Sequence, residues 1–158
     1  MKTITKISLL IFIGYFFTEG CAEKMPGNDR LILTINAAKS YAWINLMPGG
    51  KPSFHFSSEI KIQNDSDEPV ANLNLQQITM YDDTVEVLQF KPVFINRKGG
   101  SDNIILPNGI KDYSITSPDK INIDRLNNLK VINLILKFSS EGKTFNYRIE
   151  SVKIERVY

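Results

Sequence analysis

Apolar and polar residues alternate with a period of two along most of the chain after residue 30. In one stretch Phe54, Phe56, Ile60 and Ile62 share one parity, and mostly polar residues take the other. Because successive side chains of a β-strand point to opposite faces, this pattern predicts a strand with one face in a core and one in water. Clusters of Asn, Asp, Gly and Pro separate such stretches and predict turns. The pattern indicates an all-β fold.

The number and spacing of these stretches predict the architecture. We expect residues 30–158 to form an antiparallel immunoglobulin-like β-sandwich of about seven to eight strands. The parity of the apolar positions changes near Gln76 and again within 143–157, and each change predicts a β-bulge. Pro92 predicts an edge strand or the end of a strand. Residues 41–46 either extend the first strand after a kink or form a short strand of their own.

The first 21 residues follow a different pattern. Lys2 and Lys6 precede or border an apolar run, Ile7–Phe17, and Thr18-Glu19-Gly20 leads to Cys21. A basic n-region, a short apolar h-region and small residues before a cleavage site are the parts of a secretory signal peptide. The run is shorter than the roughly 18 to 20 apolar residues that cross a bilayer. A transmembrane helix is therefore the less favoured alternative.

The segment that ends at Cys21 resembles the signal of bacterial lipoproteins, in which a cysteine directly after the cleavage site is lipidated. Gly20 fits this lipobox and Glu19 departs from it. The resemblance implies a signal peptide over 1–20 and a lipidated N-terminus and linker over 21–29. It also implies that membrane lipid is a partner through Cys21 and that the protein is anchored in the bacterial cell envelope, outside the cytoplasm. Cleavage by the general signal peptidase, which leaves a free thiol, is the alternative.

A second resemblance concerns two stretches of the predicted domain. Residues 60–70 read Ile-Lys-Ile-Gln-Asn-Asp-Ser-Asp-Glu-Pro-Val, and residues 78–82 read Ile-Thr-Met-Tyr-Asp. They resemble paired strands of immunoglobulin-like bacterial extracytoplasmic domains, where one strand ends at an Asn-x-Ser turn and the next in an aliphatic-Tyr-Asp segment. Proteinase inhibitors with similar sandwiches share the first motif. The resemblance implies an architecture. It supports a binding role only weakly, because such folds host many functions.

Composition and charge limit the classes of partner and of metal or disulfide site that the chain can have. The chain has 19 basic and 17 acidic residues and a net charge of +2, which gives no electrostatic case for nucleic acid as a partner. Cys21 is the only cysteine, so no disulfide can form within the chain. His55 is the only histidine, which rules out a histidine metal cluster, and we expect it on a solvated strand surface. We expect neither a cofactor nor a metal site.

The acidic residues cluster where turns are predicted, at 65–68 and 82–83. Short Asx side chains cap their own backbone in turns, so these clusters need no catalytic explanation. A glycoside hydrolase would instead need two carboxylates that face each other across a cleft. A carboxylate-dependent hydrolase acting on polysaccharide and a proteinase-inhibitor-like domain are the alternatives to a non-catalytic module.

Two sets of residues are candidates for binding. Tyr41 and Trp43 stand two apart in an extended segment; they form an aromatic platform for a sugar ring or a protein if they project outward, whereas Trp43 fills the core if they do not. Arg97 and Lys98 begin a glycine-containing loop over 96–103 and form either a basic tip for an acidic partner or a plain solvated loop. We therefore expect a membrane-anchored, non-catalytic binding or assembly module with an envelope protein or a glycan as partner.

Overall fold

Eight β-strands account for most of the domain. The structure is a computed structural model that describes residues 33–98, 104–119, 121–126 and 128–158. The strands are β1 (Leu33–Asn45), β2 (Ser53–Asn64), β3 (Asn74–Asp82), β4 (Val85–Phe90), β5 (Val93–Asn96), β6 (Ile110–Thr116), β7 (Val131–Ser140) and β8 (Lys143–Val157). The predicted all-β fold is confirmed. The predicted signal peptide, Cys21 and the linker lie outside the described residues, and those that are described include no helix long and apolar enough to cross a membrane.

The strands form one hydrogen-bonded sheet in the order β4-β3-β7-β8-β1-β2-β6-β5. Six of the described strand pairs are antiparallel. β1 and β8, however, pair in parallel, with Ala42–Asn45 beside Ile154–Val157. The sheet is therefore mixed, and the expectation of antiparallel pairing throughout is wrong at this pair. Alternation along a strand reports which side is buried and carries no information about the direction of its neighbour.

The sheet curls so that its two halves face each other across one core. β4, β3, β7 and β8 form one half, and β1, β2, β6 and β5 form the other. Phe54 of β2 contacts Phe90 of β4 edge to face, with ring centroids 6.5 Å apart. Phe94 of β5 likewise contacts Phe138 of β7 at 5.9 Å. These contacts between the halves make the domain a β-sandwich whose core is closed by aromatic rings.

The inward faces of the strands follow the predicted alternation. Phe54, Phe56, Ile60 and Ile62 of β2 are each at most 1% exposed, as predicted. Burial of side chains of this size contributes about 1.5–3 kcal/mol each. The core therefore holds β2 in a single register, because a slip of one residue would turn all four to water.

Two irregular positions of the sheet occur where the sequence predicts them. The pairing of β3 with β7 shifts between Leu75 and Gln77, and Ser151 in β8 has a φ of 57° beside a register shift against β7. Both predicted bulges are confirmed. Pro92, which has no N–H to donate, lies between β4 and β5. The predicted strand end is thus confirmed: β4 and β5 are two short strands on either side of Pro92, and they form the two opposite edges of the sheet.

The near end of the sandwich, defined as the end where β1 begins, is organised by Asn64. This side chain is fully buried. Its Nδ2 donates to the carbonyl oxygens of Glu68 at 2.8 Å and Ile105 at 3.0 Å, and its Oδ1 accepts from the N–H of Ser66 at 3.0 Å. The predicted turn after residue 64 is therefore an Asx-capped turn that also holds the neighbouring loop. The opposite end, where β1 stops, is called the far end below.

One buried polar atom of the core lacks a partner. Tyr113 of β6 is 1% exposed and stacks on Phe94 with centroids 4.4 Å apart. Its Oη is the buried side-chain polar atom without a hydrogen bond among the described residues. Burial also raises the pKa of the phenol above its ordinary value of 10.0. The hydroxyl is therefore a cost to stability that the ring's packing outweighs.

We predict that Tyr113→Phe raises the free energy of unfolding at pH 7 by about 1 kcal/mol, because it removes an unpaired buried hydroxyl and keeps the ring. With the folded-state pKa raised, the unfolded chain loses the phenolic proton first, so wild-type stability falls as the pH rises above about 10. The variant lacks this contribution, so its advantage grows in that range. Urea denaturation at pH 7 and pH 10.5 measures both effects. A loss of more than about 1 kcal/mol at pH 7 would mean that the hydroxyl has a partner.

Candidate functional site

The four predicted binding residues are brought to the solvent side of β1, β2, β6 and β5, which we call the outer face. In β1 the inward residues before position 38 are odd-numbered, as Ile35 shows by its burial, whereas Ala42 and Ile44 are inward after it. A register shift between Ala37 and Lys39 causes this change. The extra residue of the bulge turns Tyr41 and Trp43 outward. The interpretation of Trp43 as a core residue is therefore wrong.

Trp43 lies against the only histidine of the chain. Trp43 and His55 are cross-strand partners, and their rings stack with centroids 5.2 Å apart and an interplanar angle of 14°. His55 is held in this position by a 2.9 Å hydrogen bond between its Nε2 and Ser53 Oγ. One face of the indole is thus covered, and Tyr41, 55% exposed, provides the open aromatic ring. The two residues share a face but do not form a platform of two free rings.

Small hydroxyl side chains occupy the middle of the outer face. The strand register places Tyr41, Ser57, Thr116 and Val93 in one row across β1, β2, β6 and β5. Since strands lie about 4.8 Å apart, the row is about 14 Å long. Ser57 and Thr116 are short side chains between a tyrosine and a valine, and we call this low stretch of the face the depression. Ser114, opposite Glu59, continues the hydroxyl surface in the next row.

The predicted basic tip folds back onto the same face. Arg97 Nη1 lies 2.7 Å from Glu59 Oε2 on β2, and both side chains are about half exposed. Lys98 Nζ lies 4.0 Å from Asp112 Oδ2 on β6. Exposed ion pairs of this kind contribute about 0–1 kcal/mol to stability. Their main effect is therefore to position the charged groups of Arg97 and Lys98 on the outer face. Residues 99–103 of the predicted loop lie outside the described residues.

The hydrogen bond between Ser53 and His55 pairs a hydroxyl, which can act as a nucleophile, with an imidazole, which can act as a general base. Covalent catalysis by such a pair also needs a group that orients the imidazole and donors for an oxyanion. Within the described part of the chain no carboxylate contacts Nδ1 of His55, and the stacked indole fixes the ring instead. The pair lies on an open strand face, where water is not excluded. The arrangement positions His55 and provides no complete catalytic group.

Two concave regions lie beside the outer face. At the far end, a cavity of about 980 Å³ is lined by apolar residues that include Leu46, Ile121 and Ile123 and by charged residues that include Lys51 and Asp124. A second cavity of about 430 Å³ lies where β1 and β8 separate. Over the described ranges no group of three or more His, Cys, Asp or Glu residues is placed to hold a metal ion.

Sequence reasoning found Tyr41, Trp43, Arg97 and Lys98 but missed the partners that position them. His55 and Glu59 belong to the site because they lie on the outward parity of β2, opposite Trp43 and beside Arg97. That parity was readable from the sequence. The pairing of β2 with β1, and the reach of Arg97 across β6, depend on contacts between segments distant in the chain.

Comparison with known proteins adds little to this picture. No protein-family model and no curated protein matches the chain. The chain is similar to an uncharacterised β-sandwich protein from Clostridium difficile 630, with 17% identity, a TM-score of 0.37, and 77% of this chain and 87% of that chain covered. It is also similar to a structural genomics target, SoR45, with 15% identity, a TM-score of 0.35, and 80% and 85% coverage of the two chains. Both TM-scores lie below 0.5, so the all-β architecture rests on the strands of this chain itself.

We predict that His55→Ala uncovers the indole of Trp43. Because Trp43 is the only tryptophan, its emission should shift to longer wavelength and acrylamide should quench it more strongly. The loss of the stack should cost no more than about 1.5 kcal/mol of stability. Lys61→Ala, at an exposed position of the same strand, is the control and should leave the emission unchanged. Equal quenching of the wild type and the His55 variant would show that the rings do not stack in solution.

Proposed function

We propose that the protein is a lipid-anchored, extracytoplasmic and non-catalytic binding module that binds its partner through the outer face. The observation that carries this proposal is the bulge in β1, which turns Tyr41 and Trp43 out of the core. On the same face Val93 is 45% exposed and Ile95 is 57% exposed. Exposed aromatic and aliphatic side chains grouped on one sheet face are typical of interaction sites.

A glycan is the partner class that the chemistry of the face favours. Tyr41 offers an open ring for stacking on the apolar side of a sugar, and Ser57, Ser114 and Thr116 offer hydroxyls that donate and accept hydrogen bonds. The ion pair of Arg97 with Glu59 adds a donor and an acceptor at the border of the depression. An envelope protein is the alternative partner, and the exposed aliphatic residues of β5 are the observation in its favour.

The lipid anchor is proposed on the resemblance of the leader to lipoprotein signals. Cys21 has no other cysteine to pair with, which supports lipidation over a structural role. β1 begins at Leu33, so 11 residues, 22–32, lie between it and Cys21. A fully extended chain of this length spans about 40 Å. The outer face would therefore remain close to the membrane and to the envelope components next to it.

The immunoglobulin-like topology is also a proposal, supported by the strand order. Lettered A, B, C, C′, D, E, F and G along the chain, the two halves read A-B-E-D and C′-C-F-G. These are the sheets of immunoglobulin-type sandwiches with one added strand. The parallel contact of the first and last strands joins the two halves at their shared border.

A hydrolase is the second candidate function, and the Ser53–His55 hydrogen bond is the observation that favours it. Carboxylate-dependent catalysis has less support, because the buried polar residues of the described ranges include neither Asp nor Glu. The two candidates differ in what they do to a polysaccharide. A binding module retains it unchanged, whereas a hydrolase that uses Ser53 and His55 would release acyl groups such as acetate from it, and Ser53→Ala would abolish this release.

We predict that the chain produced in an exporting bacterial host partitions into the detergent phase of Triton X-114, and that Cys21→Ser moves it to the aqueous phase. The reason is that several acyl chains on Cys21 add about 0.8 kcal/mol of membrane affinity per buried methylene. Mass spectrometry of the mature N-terminus identifies the modification. An unmodified wild-type N-terminus that starts elsewhere than Cys21 would contradict the anchor.

We predict that Thr116→Arg abolishes retardation of the protein by cell-envelope polysaccharides in native affinity gels, because the long side chain fills the depression. Tyr41→Ala should weaken binding at least about tenfold, a loss of about 1.4 kcal/mol. Thr84→Arg and Tyr158→Ala are matched controls at exposed positions away from the face. Both should bind as the wild type does.

Two outcomes would contradict the glycan proposal. Retardation that Thr116→Arg leaves unchanged would place the binding site elsewhere. Release of acetate from an acetylated polysaccharide by the wild type but not by Ser53→Ala would favour the hydrolase. Absence of any retardation, together with capture of an envelope protein that Thr116→Arg no longer captures, would identify a protein as the partner of the outer face.

A further inference from the structure

β1 and β8 leave a gap in the sandwich that no described strand fills. They pair over Ala42–Asn45 and Ile154–Val157 and separate toward the near end. On their other sides β1 pairs with β2 and β8 pairs with β7. Residues 37–41 of β1 and residues 147–153 of β8 therefore each keep one backbone edge without a strand partner among the described residues. We call the space between them the notch.

The notch is built by two bulges and by small side chains. β1 is irregular between Ala37 and Lys39, and β8 has a positive φ of 57° at Ser151. Bulges bend a strand and increase its twist, and here they lie opposite each other where the strands diverge. The cavity of about 430 Å³ between them is lined by residues 37–42 of β1 and by residues 149–153 and Glu155 of β8, and its small side chains include Ala37, Ala38, Ser40 and Ser151.

The apolar side chains next to the notch are incompletely covered. Phe145, Tyr147 and Ile149 pack against the core but are only partly buried. Their partners on β7 are Phe138, Leu136 and Leu134, and each of these is fully buried. The difference arises because one side of β8 has no neighbour along this stretch.

The free edge of β8 differs from the outer edges of the sheet. β4 has 6 residues and β5 has 4, and short edges of this kind offer little backbone for pairing. β8 has 15 residues, of which the last four pair with β1. A long free edge that alternates apolar and polar residues is a template for another strand. Proteins use such edges to recognise extended peptides.

The charges around the notch favour an acidic ligand. Glu150 pairs with Arg148 at 3.1 Å. Lys39 and Lys153 line the walls and have no ion-pair partner within the part of the chain that the structure describes. Glu155 also lines the cavity. Two unpaired lysines and one glutamate leave a net charge of one positive unit at the notch. Both lysines are exposed, so a carboxylate can approach them at a low desolvation cost.

We propose that the notch is a strand-addition site for an extended peptide segment of a partner protein, with alternating apolar side chains and an acidic residue. β1 and β8 run in the same direction, so the segment binds antiparallel to both, the more stable arrangement. Its backbone pairs with the two free edges, its apolar side chains cover Phe145, Tyr147 and Ile149, and its carboxylate lies between Lys39 and Lys153. The proposal deepens the proposed binding role. The notch shares Tyr41 with the outer face, but the proposal depends neither on glycan binding nor on the lipid anchor.

The test uses a phage-displayed library of random dodecapeptides selected on the purified full chain. Selected peptides, made synthetically, should contain alternating apolar residues and an acidic residue and should bind in fluorescence anisotropy. The double variant Lys39→Glu/Lys153→Glu should weaken their binding at least tenfold. Lys61→Glu/Lys137→Glu changes the same number of charges at exposed positions outside the notch and should leave binding unchanged. Hydrogen exchange should slow at residues 37–41 and 147–153 when a peptide binds.

Three results would overturn the proposal. The first is a selection that yields no peptide whose binding the Lys39/Lys153 variant weakens. The second is slowed exchange at the outer face rather than at the two edges. The third is slow exchange at both edges in the free protein, which would mean that another part of the chain or a second copy already fills the notch; sedimentation distinguishes those two. The assay contains neither glycan nor lipid, so its failure leaves the outer-face proposal standing, and Thr116→Arg should not affect it.

Discussion

The short parallel contact between β1 and β8 is the constraint on which the rest of the structure depends. It is the place where the two halves of the sheet meet in hydrogen bonds, and it spans only Ala42–Asn45 and Ile154–Val157. β1 must pair with β2 along its whole length and yet reach β8 at its end. The bulge at Ala37–Lys39 reconciles these demands. The same irregularity turns Tyr41 and Trp43 outward and opens the notch, so both candidate surfaces have one geometric origin.

The sequence predicts those parts of the fold whose cause is local. The alternation of Phe54, Phe56, Ile60 and Ile62 identifies the inward face of β2, and Pro92 marks a strand end because it lacks an N–H. The parity change near Gln76 locates a bulge. In each case the signal is carried by neighbouring residues and by the backbone chemistry of one strand.

The position of the bulge in β1 leaves no such signal, although the extension of the first strand through residues 41–45 after a kink, one of the two interpretations that the sequence allows, is confirmed. Ile35, Tyr41 and Trp43 are all odd-numbered, so unbroken alternation would put the two aromatic residues in the core, and Ala37-Ala38 fits either face. Only the pairing with β2 reveals the extra residue. The parallel direction of β8, the stack of His55 on Trp43 and the ion pair of Arg97 with Glu59 are likewise contacts between distant segments. The sequence identifies the candidate site residues by their residue types. Their contact partners can be identified only from the pairing of strands in the folded protein.

The parallel direction of β1 and β8 also has a mechanical consequence. The beginning of β1 and the end of β8 lie at opposite ends of the sandwich, so a force that pulls these points apart acts along the two strands. Their hydrogen bonds would then be stretched together in shear, rather than opened one after another as in an unzipped hairpin. A strand added between β1 and β8 would lengthen the sheared contact. Binding of a strand in the notch would thus determine how much tension the domain withstands before its halves separate.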